Sequence, residues 1–263
     1  MPLRQAAAGV NALLTAFPTE KFFLGWKRAY FQFLFEQVLN KKTALTTELE
    51  QKWNCLMSDL MGSTPYPVWR YLQGQNVEAL VDRREQFLKD IKLSSSLEEQ
   101  ESRIAFAVRD CAGKLANILL LELDGLSLLA NVGKHYRLLS KDASIAGASV
   151  HFGEPEEELG VAVSVESAMA LVIATNGMPC WACLGPTGLK TLKVPEPVTK
   201  VRIFCDVEPS GVMQEAAEAL ATRLQETGRT ATVFTPPCVA LGLSGHVRWH
   251  DAWMMAGCDL LHL

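Results

Sequence analysis

The sequence has no apolar run long enough to cross a membrane. A membrane-spanning helix needs about 20 predominantly apolar residues, and the apolar stretch at residues 22–39 is interrupted by Lys27, Arg28 and Glu36. The chain also starts without the apolar segment that a secretory leader needs. We therefore expect no membrane partner.

Positive charge is not in surplus either. The chain has 25 Lys and Arg residues against 29 Asp and Glu residues, which gives a formal net charge of −4. Proteins that bind nucleic acid through bulk charge are usually basic, so a nucleic-acid contact here would need a local patch. The first forty-odd residues contain one, because their basic residues, which include Lys27 and Arg28, outnumber Glu20 and Glu36. This patch indicates either a nucleic-acid contact or a solvated helix face.

Several catalytic and metal-binding signatures are also missing. The sequence contains no Walker A loop, no H-E-x-x-H and no G-x-S-x-G. Its seven cysteines are an odd number spread along a chain of ordinary size, which favours reduced thiols in a cytoplasmic protein over a disulfide framework. Cys180 and Cys183 have the spacing of metal ligands, but a structural zinc needs four ligands and no second pair lies nearby. No zinc is therefore expected.

Hydrophobic residues make up 49% of the chain and charged residues 21%, so a sizeable core can form. Residues 20–40 are predicted to form an amphipathic helix, whose aromatic stripe would face the core or a partner protein. A second helix is predicted over residues 46–60, and the charge-dense residues 76–101 predict a surface helix. Residues 104–108 and 116–123 are typical of strands and predict a small antiparallel sheet.

From residue 159 the pattern becomes one of strands alternating with helices. The predicted strands are 160–165, 180–184, 201–205 and 230–235, and the predicted helices are 166–175 and 211–227. Such alternation predicts a mainly parallel sheet flanked by helices. We therefore predict an α/β protein in three parts, which are a helical amino-terminal arm at 1–45, a small α+β subdomain at 46–150 and an α/β domain at 151–263.

Acidic residues follow two of these predicted strands. Glu166 comes directly after the strand that ends at Val165, and Asp206 and Glu208 come directly after the strand that ends at Cys205. Functional groups gather at the carboxyl ends of strands in open α/β sheets, so we expect these acids to share one cleft. Two carboxylates spaced i and i+2 suit Mg²⁺, which prefers oxygen ligands. Glu166 could instead be favoured there by the dipole of the helix that it begins.

Several blocks of the sequence resemble the toprim family of plasmid and phage primases. Residues 161–168, VAVSVESA, are similar to the family motif V-A-E-G-I-E-T-A, and residues 202–211 are similar to its D-x-D strand end followed by a glycine. Arg-Trp-His-Asp at 248–251 stands where relatives have D-W-N-D, and residues 65–72 are similar to a motif that precedes the toprim unit. The resemblance spans about residues 46–255.

This resemblance implies a toprim fold in which acids hold Mg²⁺ and one Glu acts as acid or base, so that nucleotides are joined into a primer on single-stranded DNA. Asp206, Glu208 and Asp251 fall on the implied metal-binding positions. The implied acid–base Glu, however, falls on Val163, which can neither ionise nor bind a metal. The first acid of D-W-N-D is replaced by Arg248.

These departures leave two main hypotheses. In the first, the chain is a catalytically weakened or silent toprim protein of a mobile element, which binds single-stranded DNA or RNA, or serves replication or defence as an accessory that binds a protein partner through its amino-terminal helices. The alternative is an active Mg²⁺-dependent primase-type nucleotidyltransferase, with Glu166 as the remaining catalytic acid. An α/β protein unrelated to primases is a third reading.

One further segment offers a candidate contact. His246, Arg248 and His250 alternate with Val247 and Trp249, which indicates either a polar strand face or an edge that contacts phosphate. In the second case Arg248 would bind nucleic acid and Trp249 would stack on a base.

Overall fold

The computed structural model describes residues 20–56, 66–95, 102–122 and 135–262. The chain divides into two compact units, residues 1–47 and residues 48–263. Within the described residues no helix is both long and apolar enough to span a membrane.

The described residues form eight α-helices and nine β-strands. The helices are α1 Glu20–Cys55, α2 Tyr66–Gly74, α3 Arg84–Phe87, α4 Val165–Ala174, α5 Pro186–Thr191, α6 Val212–Glu226, α7 Cys238–Leu241 and α8 Trp249–Ala256, with 3-10 turns at Glu78–Arg83 and Gly257–His262. The strands are β1 Ile91–Ser95, β2 Ser102–Arg109, β3 Leu115–Glu122, β4 His135–Leu138, β5 Ser149–Phe152, β6 Glu158–Ala162, β7 Cys180–Ala182, β8 Lys200–Phe204 and β9 Thr230–Phe234.

All nine strands belong to one mixed sheet, in the order β4-β3-β2-β5-β7-β6-β8-β9, with β1 also paired to β2. Strands β7, β6, β8 and β9 are parallel to one another, which confirms the predicted parallel core with flanking helices. Strands β2 and β3 pair antiparallel as predicted, and β1 and β4, which were not predicted, extend this antiparallel part. That part is joined to the parallel core because β2 pairs with β5, and β5 pairs with β7.

The parallel strands bury apolar side chains on both faces, as covered parallel sheets do. Alternation along β6 and β8 sends Val161 and Ile203 into one hydrophobic cluster, with α5 and α6. It sends Ala162 and Phe204 into the other cluster, with α2, α4 and α8. The strand ends are therefore held rigidly between two helical layers.

Helix α1 differs from its prediction, since one continuous helix replaces the two expected at 20–40 and 46–60. The intervening residues contain neither Gly nor Pro, so nothing in them interrupts the backbone hydrogen bonds. The hydroxyls of Thr43, Thr46 and Thr47 each donate to the carbonyl four residues earlier, at 2.9 to 3.0 Å. These threonines are therefore accommodated inside the helix.

The surface helix predicted at 76–101 is wrong over residues 76–95, and residues 96–101 lie outside the described residues. That region folds as a 3-10 turn, the short helix α3 and strand β1. Four apolar side chains of this region are buried although charged residues lie among them in sequence, namely Leu80, Phe87, Leu88 and Ile91. Pairing of β1 with β2 and burial of these apolar side chains decide the local structure.

Candidate functional site

The predicted acids follow neighbouring strands, although β6 ends at Ala162 and not at Val165, so that Glu166 lies four residues beyond the strand. Strands β6 and β8 are parallel partners, with Val161 opposite Ile203 and Ala162 opposite Phe204. Glu166 therefore follows one strand and Asp206 follows its neighbour at the same edge of the sheet. This is the edge at which ligands bind in open α/β folds.

Glu166 is buried in the first turn of α4 and is held by two tyrosines. The Tyr136 hydroxyl donates to its Oε1 at 2.7 Å and the Tyr71 hydroxyl donates to the same oxygen at 3.4 Å. The two hydroxyl oxygens are 3.1 Å apart. Burial raises the pKa of both tyrosines well above the ordinary value, and the Glu166 carboxylate raises them further, so both keep their protons and act as donors.

Asp206 is also buried and receives a hydrogen bond from the start of α8. Its Oδ1 accepts from the backbone N–H of Trp249 at 3.1 Å. Burial raises the pKa of Asp206 to about 6, although the Trp249 N–H and the charges of His246 and Arg248 oppose that rise. The carboxylate is thus held inside the protein.

Glu208 is used at the start of another helix. Its Oε1 accepts from the backbone N–H of Met213 at 3.0 Å, at the first turn of α6. The preceding turn passes through Gly211 in the left-handed region, with φ of 73°, where glycine is favoured. Glu208 therefore caps a helix, which is the favoured place for a carboxylate.

Asp251 forms a tight local pair with Arg248. The Arg248 Nε and Nη2 donate to the two carboxylate oxygens at 3.0 and 2.6 Å, and the Arg248 backbone N–H adds a bond of 2.9 Å. Burial raises the pKa of Asp251, but the bonds from Arg248 outweigh it and the net shift is downward. The pair closes the first turn of α8.

The position that the resemblance gives to an acid–base Glu holds a buried valine. Val163 is 6% exposed and belongs to the hydrophobic cluster on the α6 face. The next residue, Ser164, is extended and caps α4, because its hydroxyl accepts from the Ser167 N–H at 3.2 Å. No left-handed backbone requires the family's glycine at Ser164.

Val163 and Glu166 border the same pocket, which has a volume of about 360 Å³. Its walls are mostly apolar, including Leu119, Leu138 and Leu184. Asp206 and Glu208 do not line it.

The metal-binding prediction finds limited geometric support. Among the described residues, no three or more His, Cys, Asp or Glu side chains are grouped so that they could hold a metal ion. Asp206, Glu208 and Asp251 are therefore not gathered as a three-ligand set. Weak binding of Mg²⁺ by the strand-end acids stays a prediction.

The predicted nucleic-acid contacts have different outcomes. The Trp249 ring is buried, packs edge-on against Phe204 at 5.1 Å and donates from its indole nitrogen to the Cys205 carbonyl. Its proposed role as a stacking surface is corrected, because no face of the ring is exposed to a base. Arg248 is half-buried in its pair with Asp251. The side chains of Lys27 and Arg28 lie outside the described residues.

All seven cysteines are free thiols. Cys180 and Cys183 lie in and directly after β7, where both are buried. Burial raises the pKa of both thiols, so they are protonated at neutral pH and pack as core residues.

Sequence reasoning missed the two tyrosines that hold Glu166. Tyr71 lies within the motif at 65–72 that resembles the one preceding toprim units, which was a signal that this segment contributes to the site. Tyr136 lies on β4 and carries no comparable motif.

Part of the chain matches a known domain family. Residues 158–259 match the family model described as the toprim domain, and this part of the chain is a toprim domain. A search of curated proteins found no match.

Solved primase structures share the wider fold. The catalytic core of E. coli primase is similar with a TM-score of 0.51 and 11% identity, over 83% of this chain and 78% of that one. A DnaG primase catalytic domain bound to ssDNA is similar with a TM-score of 0.50 and 13% identity, over 85% of this chain and 78% of that one. The chain is thus primase-like in fold and contains a toprim domain.

Proposed function

We propose that this chain is a catalytically weakened or silent primase-like protein, which binds single-stranded nucleic acid and makes no primers at the rate of intact relatives. The observation that carries the proposal is Val163, buried at the position where the toprim resemblance expects an ionisable Glu. Loss of a positioned acid or base typically slows a reaction by about 10²- to 10⁴-fold.

The arrangement of the remaining acids supports the same proposal. Glu208 caps α6 and Asp251 is paired with Arg248, so both are engaged in local structure. Glu166 shares its carboxylate with two tyrosine hydroxyls.

Nucleic-acid binding is supported by the fold, since one primase catalytic domain of similar fold is described as bound to ssDNA. A protein partner is supported by α1, on which Phe35, Val38 and Leu39 are 65%, 66% and 51% exposed. These positions are spaced i, i+3 and i+4 and so lie on one helix face. Binding through this face would suit a replication or defence accessory.

The activity part is tested by restoring the acid. Val163→Glu, made together with Arg248→Asp so that both departures from the family motif are reversed, is expected to raise template-dependent nucleotide incorporation above wild type, measured with labelled nucleotides on a single-stranded template. Ser164 stays unchanged in this variant because it caps α4. Val163→Gln with Arg248→Asp is the matched control, since it introduces a side chain of the same length without an ionisable group and should give no gain.

The alternative is an active Mg²⁺-dependent nucleotidyltransferase. Robust primer synthesis by the wild type, abolished in Asp206→Ala, would establish it and leave Glu166 as the group that carries the proton. Fluorescence anisotropy with labelled single-stranded DNA and RNA tests binding separately. No binding to either would sink the nucleic-acid part of the proposal.

A further inference from the structure

The four acids at this edge of the sheet each accept a hydrogen bond from the protein itself. The donors are the Tyr136 hydroxyl for Glu166, the Trp249 N–H for Asp206, the Met213 N–H for Glu208 and the Arg248 guanidinium for Asp251. These donors engage one oxygen of Asp206 and one of Glu208 but both oxygens of Asp251, so a divalent ion would compete most directly with Arg248 for Asp251. Since Asp251 is occupied and no three acids among the described residues are grouped as ligands, the residues present do not fit a resident metal ion.

An isolated bridge places Arg248 among these acids. Val207 and Val247 pair antiparallel, with reciprocal N–H to carbonyl bonds of 2.9 and 2.8 Å. The residues one step away on each side of a bridged pair face each other, so Asp206 lies across from Arg248. Alternation puts these two side chains on the same face.

The next two residues fix this segment to both strand ends. The Trp249 N–H bonds Asp206, and the His250 N–H donates to the Ser167 Oγ at 3.2 Å. Ser167 is the neighbour of Glu166 in α4. Arg248 is thus carried on a short backbone segment anchored beside Asp206 and beside Glu166.

We infer that Arg248 supplies, as a fixed side chain, the positive charge that this acidic site would otherwise take from a divalent metal ion. A guanidinium is permanently charged, and its planar fork suits bidentate pairing with a carboxylate such as Asp251. Hydrogen bonding to Asp251 raises the pKa of Arg248, and the charges of Glu166 and Asp206 raise it further. A metal ion entering the site would be repelled by the positive charge of Arg248, and it would find the Asp251 carboxylate already bound to Arg248.

A substitution series at position 248 tests this inference through metal binding alone. Mn²⁺ affinity, measured by water-proton relaxation, is expected to rise in the order wild type, Arg248→Gln, Arg248→Asp. The gain for Arg248→Asp should be about tenfold or more, because a repelling charge is replaced by a ligand. Mn²⁺ should also raise the melting temperature of Arg248→Asp by more than that of wild type.

Arg202→Gln is the matched control for Arg248→Gln, since Arg202 is exposed on β8 and pairs with Glu158. It makes the same charge change and should leave Mn²⁺ affinity as in wild type. Wild type binding Mn²⁺ as tightly as Arg248→Asp would overturn the inference. So would an absence of any gain in both position-248 variants, because Arg248 would then not be what excludes the metal.

A second measurement rests on the proposed function. Anisotropy titrations of wild type with single-stranded DNA should give the same affinity in Mg²⁺ as in a chelator at matched ionic strength. Binding that requires Mg²⁺ would overturn the inference while sparing the proposed function. Failure to bind in both conditions would overturn the proposed function, and the Mn²⁺ series would still decide the role of Arg248.

Discussion

At the scale of single residues, His151 shows how burial sets a charge state. Its ring stacks on Trp181 with centroids 3.6 Å apart and planes within 1°. Burial, together with the nearby charges of Arg109 and Lys89, lowers the pKa of His151 to about 3. The imidazole is therefore neutral in the folded protein across the physiological range.

A pH dependence of stability follows from this lowered pKa. A histidine with a depressed folded pKa contributes stability that is fully present above its unfolded value of 6.5 and is lost as the pH falls toward 3. His151→Phe keeps an aromatic ring against Trp181 and cannot titrate. Between pH 7 and about pH 3, the free energy of unfolding measured with urea should fall by about 2–5 kcal/mol more for wild type than for this variant. Parallel pH profiles for the two proteins would rule this out.

At the scale of elements, the two tyrosines join three separate pieces of structure. Tyr71 lies on α2, Tyr136 on β4 and Glu166 on α4. A hydrogen bond to a charged group contributes about 1.5–3 kcal/mol to stability, which is more than a neutral one contributes. The cluster thus binds the antiparallel part of the sheet to the toprim domain.

The two distances predict an order of effects. Tyr136→Phe removes the 2.7 Å bond to Glu166 and should destabilise the protein by about 1.5–3 kcal/mol. Tyr71→Phe removes the longer 3.4 Å contact and should cost less. Chemical denaturation of both variants measures this, and a larger loss for Tyr71→Phe would contradict the assigned geometry.

At the scale of the whole molecule, charge is distributed unevenly although the net value is −4. Basic residues are concentrated near the amino terminus, and Lys41 and Lys42 on α1 are exposed. A local basic patch can bind phosphates on an acidic protein, and counterion release then makes the binding depend on salt.

Charge reversal tests the amino-terminal patch. Lys27→Glu with Arg28→Glu should weaken binding to single-stranded DNA and reduce the slope of log affinity against log salt by about two, roughly one per lost phosphate contact. Lys190→Glu with Lys193→Glu is the control of equal charge change at exposed positions outside the amino-terminal patch. Equal losses of affinity in both variants would indicate that binding depends on the overall charge of the protein and not on the patch. Unchanged binding would assign the patch to packing or to a protein partner.

Much of the toprim domain could be predicted from sequence, because its signals are local. Helix α4 ends where predicted, at the left-handed Asn176 and Gly177. Apolar strands alternate with helices, and that order requires parallel pairing with short connections. The region before the toprim domain was harder to predict, because charged residues lie between the buried Phe87 and Ile91. Its structure depends on partners distant in sequence, such as strand β2, which pairs with β1.

The sequence by itself determined the toprim domain, the strand-end positions of Glu166, Asp206 and Glu208, and the substitutions at Val163 and Arg248. Only the tertiary structure decided what those side chains contact. The hydroxyls of Tyr71 and Tyr136 come to Glu166 from 95 and 30 residues away, and Val247 pairs with Val207 across 40 residues. Such contacts leave no local pattern, because they depend on how the strands and helices pack and on which buried carboxylates must then find a donor.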